Sequence, residues 1–192
     1  MRLRIHRSDG KTGSYHQGVA SRAKLLLTRL NPQRVFTSGP IVIGVLNPFS
    51  VLNPDEVCWI EIETDLPVTC ILPEHVQSVR KLAGREEYEA ILSQQWPLWM
   101  KFKKSKVGDL LEALVEISLR SGESIFLHVT GTVTNTNLLV DAFFHQPVIM
   151  ASYAPNGTVY INPKCIVRSR VYHSRQEVDF PDGLWFAETD DI

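Results

Sequence analysis

Cysteine is scarce in this chain, and its pattern excludes two classes of protein. Cys58, Cys70 and Cys165 are odd in number and far apart in the 192 residues, so no disulfide framework is written into the sequence. They read as small buried or half-buried side chains in a reducing compartment, which points to a cytoplasmic location. Cys-x-x-Cys, His-x-x-x-His and His-Glu-x-x-His are all missing, which removes the usual ligand spacings of a zinc site. Asp141 and His145 are separated by Ala-Phe-Phe, which reads as strand and sets them about 13 Å apart. Neither a metal nor a cofactor is expected.

Other absences narrow the field further. No apolar run approaches the roughly 18 residues of a membrane span, and no apolar stretch of signal-peptide type follows Met1 to Arg7. Gly10-Lys11-Thr12 resembles the end of a phosphate-binding loop, but Ile5 stands where the motif needs its first glycine, so nucleotide hydrolysis is set aside. There is no Gly-x-Ser-x-Gly elbow, and no known local signature surrounds any of the cysteines. An enzyme survives only as a small one whose site is assembled from distant residues. Asn156-Gly157-Thr158 matches a glycosylation sequon but, with no secretory route visible, is read as a turn.

What the chain does have is an ordinary globular composition, 44% apolar and 21% charged, which predicts one domain over residues 1–192 with a core of its own. The net charge of −1 hides strong segregation. Residues 1–34 carry eight Lys/Arg against Asp9 alone; residues 35–75 carry six acids and no base; residues 176–192 carry six acids and no base. Such blocks either form opposed surface patches or cancel by pairing with one another in the fold.

Periodicity then assigns elements. Alternation predicts strands at Arg2 to Arg7 and at Val57 to Thr64, and short apolar strands at Ile41 to Leu46 and Val68 to Leu72. Ser124 to Thr134, Leu138 to Phe144, Val148 to Ala154, Thr158 to Asn162 and Lys164 to His173 form a strand-rich run. Within it, Asn156-Gly157 signals a hairpin with a type I′ turn. Helical spacing predicts a helix from Val19 to Leu30 stopped by Asn31-Pro32. It also predicts helices over Glu74 to Ala83 with Gly84 as its C-terminal cap, over Arg85 to Gln95, and over Asp109 to Ser121 terminated at Gly122. The fold class that follows is α+β: a mostly antiparallel curved sheet or partly open barrel, with an N-terminal helix and a helical insertion at about 74–121.

Three stretches carry functional expectations. Arg2-x-Arg4-x-His6 and Arg168-x-Arg170-x-Tyr172 each present guanidinium groups on one strand face. If the two faces share one side of a sheet, Arg2, Arg4, Arg168 and Arg170 converge on an anion, and Tyr172 can stack a base of RNA or single-stranded DNA. Glu61 and Glu63 form an acidic face that either meets those arginines or meets solvent. Trp99 in the aromatic and lysine-rich stretch Trp96 to Lys106, and Leu184, Trp185 and Phe186 in the acidic C-terminal segment 179–192, are candidate contacts for a protein partner. The leading reading is a non-catalytic regulatory or protein–protein interaction domain, and the rival is an anion- or nucleic-acid-binding domain.

Overall fold

The computed structural model describes residues 1–44, 49–101, 106–133, 146–153 and 155–174. The expected strand at Leu138 to Phe144, the Asp141 and His145 pair, and Leu184, Trp185 and Phe186 lie outside the described residues.

A nine-stranded, mostly antiparallel sheet organises these residues, in the order β11-β7-β8-β6-β9-β10-β5-β1-β2. Its strands are β1 (Arg2–Arg7), β2 (Thr12–His16), β5 (Val57–Glu63), β6 (Val76–Lys81), β7 (Leu110–Leu119), β8 (Ser124–Thr132), β9 (Ile149–Tyr153), β10 (Gly157–Ile161) and β11 (Ile166–His173). A separate hairpin pairs β3 (Ile41–Gly44) with β4 (Phe49–Leu52). Between β6 and β9 the contact is parallel and reduced to one residue pair, Arg80 with Ser152. The outermost strands β11 and β2 do not meet, so the sheet is curved but not closed into a barrel.

Alternation sorts the apolar side chains onto two faces. One face gathers Cys58 and Trp59 of β5, Val79 of β6, Val115 and Ile117 of β7, Leu127 of β8 and Val159 of β10 into a single buried cluster. Contact among residues from so many strands requires the sheet to curl around that cluster, which makes this face concave. The convex face is covered in two places. Leu3, Ile5, Ile60, Ile62 and Tyr160 lie under α1 (Ala20–Arg29) and the segment that follows it, through Leu30, Val35 and Phe36. Leu82, Leu114 and Phe126 lie under α2 (Arg85–Trp99), through Tyr88 and Trp99.

The helical insertion is corrected by the structure: residues 74–121 form strand β6, helix α2 and strand β7. In Leu110–Leu119 the residues Leu111, Ala113, Val115, Ile117 and Leu119 are all buried at period two, while Leu114 is buried on the other face. A strand covered on both faces holds apolar residues of both parities, and a subset of them falls at helical spacing by coincidence. Gly122, expected to end a helix, instead takes φ 86° in the tight turn between β7 and β8. Gly84 has an extended backbone and precedes α2 rather than capping a helix before it. Val68 to Leu72 forms no strand; Val68 and Leu72 pack as loop residues on the two clusters. The hairpin of β9 and β10 is present, but its register places Gly157 inside β10, opposite Tyr153. Glycine is needed there because a Cβ would lie 2.4 Å from the Tyr153 carbonyl oxygen.

Gly131 supports the β6–β8 pairing in a similar way. His75 takes φ 67° just before β6, and its carbonyl accepts the Thr132 amide at 3.0 Å. A Cβ on Gly131 would sit 2.5 Å from that same oxygen, so backbone must move and the bond lengthens. Gly131→Ala is expected to destabilise the fold by about 1–3 kcal/mol, measured by urea denaturation. An unchanged midpoint would show that the β6 entry turn adapts freely.

Candidate anion-binding site

The two basic strand faces are on opposite faces of the same sheet. Arg2 and Arg4 stand opposite Glu63 and Glu61 in the β1–β5 register, on the concave face with Trp59. Arg168, Arg170 and Tyr172 pair with Ser118, Glu116 and Leu114 of β7, on the convex face under α2. Strand β11 is one edge of the sheet, and β1 lies one strand in from the other. The four guanidinium groups therefore do not converge.

On the concave side the arginines are committed to carboxylates. Arg4 Nε lies 2.9 Å from Glu61 Oε2 and its Nη2 donates to Glu63 Oε1 at 2.6 Å, while Arg2 Nη1 is 3.5 Å from Glu63 Oε2. The hydrogen bond that Arg4 donates to Glu63 holds its guanidinium still more firmly protonated. Lys81 reaches in from β6, with Nζ 3.9 Å from Glu61 Oε1 and 5.4 Å from the ring centres of both Trp59 and Tyr153. Tyr153 donates its hydroxyl to Glu63 at 3.3 Å; burial, then the charges of Glu61 and Glu63, push its phenol upward. Glu61 is only 6% exposed, so the cations beside it offset the cost of taking a carboxylate out of water. This cluster ties four strands together, β1, β5, β6 and β9, and leaves neither arginine free.

Next to it, Glu123 in the β7–β8 turn clamps the sheet across its concave side. Trp59 Nε1 donates to Glu123 Oε2 at 3.0 Å, and His6 Nδ1 lies 3.3 Å from Glu123 Oε1 and 3.2 Å from Thr12 Oγ1. The imidazole stacks on Trp59 at 3.7 Å between ring centres. Burial pushes the His6 pKa down, with Arg4 acting in the same direction and Glu123 and Glu61 opposing.

The convex side differs. Arg168 and Arg170 line a cavity of about 210 Å³ with Arg85, Glu116 and Ser118. Glu116 is engaged by Arg85 Nη2 at 2.8 Å, and Arg85 also pairs with Glu89 at 3.6 Å. Although Arg170 faces Glu116 in the register, neither it nor Arg168 has a carboxylate within ion-pair distance among the described residues. Three guanidinium groups against one carboxylate leave the cavity wall with two excess positive charges. Further along β11, Tyr172 is met edge-on by Trp96 at 5.2 Å, so its ring is held in place beside the basic pair.

Arg85, Glu116 and Ser118 were not singled out by sequence, nor were Lys81 and Tyr153. Only the strand register and the packing of α2 bring them to these sites, and no local motif signals either. Trp99, an expected partner contact, is 3% exposed and fills the space under α2. It presents no indole surface to a partner.

The two basic faces should respond oppositely to mutation. Arg4→Ala strands Glu61 with Lys81 alone and is expected to cost about 2–4 kcal/mol, near the range for breaking a buried pair. Arg168→Ala should stay within about 0.5 kcal/mol, as for an exposed surface residue. Thermal denaturation of the two variants checks this, and equal effects would remove the distinction. The depressed His6 pKa also predicts a pH dependence. As pH falls through the free-histidine value of about 6.5, the unfolded chain takes up a proton that the fold refuses. Stability should drop until the buried imidazole also protonates, and His6→Phe, which retains an aromatic stack, should flatten the midpoint-versus-pH curve between about pH 7 and 5. Compared with known proteins, the chain matches no family model, no curated protein and no solved structure.

Proposed function

We propose that this protein is a binding domain for a phosphate-bearing ligand, held by Arg168 and Arg170 in the cleft between β11 and α2. The observation that carries this reading is the contrast between the basic faces. Arg2 and Arg4 are paired with carboxylates, whereas Arg168 and Arg170 border a cavity with no ion-pair partner among the described residues. A planar guanidinium fork matches phosphate oxygens with two parallel hydrogen bonds. Two such forks at alternate strand positions, about 7 Å apart along the backbone, can hold two anionic groups of one ligand or both grip one. Ser118 adds a hydroxyl to the wall, and Tyr172 offers an aromatic surface next to the cations.

Polyanion chromatography and equilibrium titration test the proposal. Native protein is expected to be retained on a phosphocellulose column at low salt, and Arg168→Ala/Arg170→Ala to elute at distinctly lower salt with an unchanged melting temperature. With single-stranded RNA as probe, loss of two phosphate contacts should lower the slope of log K against log salt by roughly 1–2. Competition by inorganic phosphate alone points to a small ligand, and by RNA alone to a nucleic acid. No retention of native protein at low salt, or identical elution of the double variant, would overturn the reading.

A further inference from the structure

The opposite end of the convex face carries a second, unrelated surface. Between Asp9 and Asp55 the sequence contains no carboxylate at all, while Lys11, Arg22, Lys24, Arg29 and Arg34 supply five bases. Lys11 is spent on Asp9, but Arg22, Lys24, Arg29 and Arg34 are exposed and have no ion-pair partner among the described residues. Large apolar side chains are exposed in the same region: Leu25 at 59%, Val42 at 58%, Phe49 at 61% and Val51 at 57%. Cross-strand pairing of Val42 with Val51 and of Gly44 with Phe49 puts the last three on one face of the β3–β4 hairpin. Leu25 and Val42 both line a cleft of about 580 Å³, together with Arg22 and Arg29.

From this arrangement we propose that α1 and the β3–β4 hairpin form a docking surface for an anionic lipid bilayer. Side chains as apolar as Phe49, Val42, Val51 and Leu25, with Arg22 and Arg29 lining the same cleft as Leu25 and Val42, suit an interface with acyl chains beneath a negative headgroup layer. Arg22 and Arg29 remain at headgroup level with their stems along the apolar patch. A protein or peptide partner normally presents cations as well as anions, and a 45-residue stretch with no carboxylate of its own offers such cations no match. A uniformly anionic sheet of headgroups has no such mismatch. Each basic side chain near such a surface raises affinity by about fivefold at moderate salt.

Vesicle co-sedimentation of the full chain tests this. Binding is expected to phosphatidylcholine vesicles containing about 30% phosphatidylserine and not to pure phosphatidylcholine, falling as salt rises. Phe49→Ser/Val51→Ser should weaken it at least about tenfold, and Arg22→Glu/Arg29→Glu should abolish the preference for the anionic lipid. Unaltered melting temperatures would show that both variants fold. Arg168→Ala/Arg170→Ala should bind vesicles as native protein does; loss of binding there would assign the lipid headgroup to the β11 cleft and overturn the proposal. It is equally overturned if native protein ignores anionic vesicles, or if an acidic peptide binds this face and vesicles do not.

Discussion

Burial of the large sheet on both faces is the constraint on which the rest of this structure depends. Strand β5 shows it most fully, with six of its seven residues buried. Cys58 and Trp59 contribute to the concave cluster, and Val57, Ile60 and Ile62 to the layer beneath α1. Neither face can be surrendered to water without losing the apolar contacts that offset the entropy of ordering the chain. The curl follows from the same requirement, since only a curved sheet lets Val171 of β11 pack on the same cluster as Trp59 of β5.

Burial on β5 also governs the electrostatics. A carboxylate at Glu61, deep in the sheet, loses its hydration and must be matched by cations, which Arg4 and Lys81 provide from the neighbouring strand and from across the concave face. Strand β11 has a neighbour on one side only, so Arg168 and Arg170 keep contact with water and need no internal partner. The same alternating Arg pattern therefore meets two environments, paired with carboxylates where desolvation forces pairing and left unpaired beside a cavity where it does not. In the proposed reading, that openness is what leaves the β11 cleft able to take a ligand.

The pattern of residues made some elements legible and concealed others. Strand β1 and the pairing of β9 with β10 lie where alternation and turn residues placed them, although Gly157 falls inside β10 rather than in the turn, whereas α2 runs on through Pro97 to Trp99, past the expected end at Gln95. Strand β7 was concealed because two-sided burial fills both parities, and Leu110, Leu111, Leu114 and Ile117 then imitate a helical stripe. Strand β6 was concealed for a related reason. Its apolar positions are few, with Val79 turned to the concave cluster and Leu82, just beyond it, to the convex one, a spacing that passes for one helical face. At the candidate site, Arg168 and Arg170 could be singled out from their alternation alone. Their neighbours Arg85, Glu116 and Ser118 come from α2 and β7 and carry no local mark.

The sequence by itself determined an α+β mixture of elements with segregated charge, an acidic alternation at Glu61 and Glu63 and two basic alternations, because these depend only on residue order and the period of the backbone. Which basic strand answers the acidic one was decided by tertiary structure, because pairing depends on strand order and on which face each side chain takes. Strand β1 lies beside β5 with Arg4 opposite Glu61, while β11 lies at the far edge with its arginines on the other face. Two strands of similar pattern were thereby given different partners, and only the order of the sheet distinguishes them.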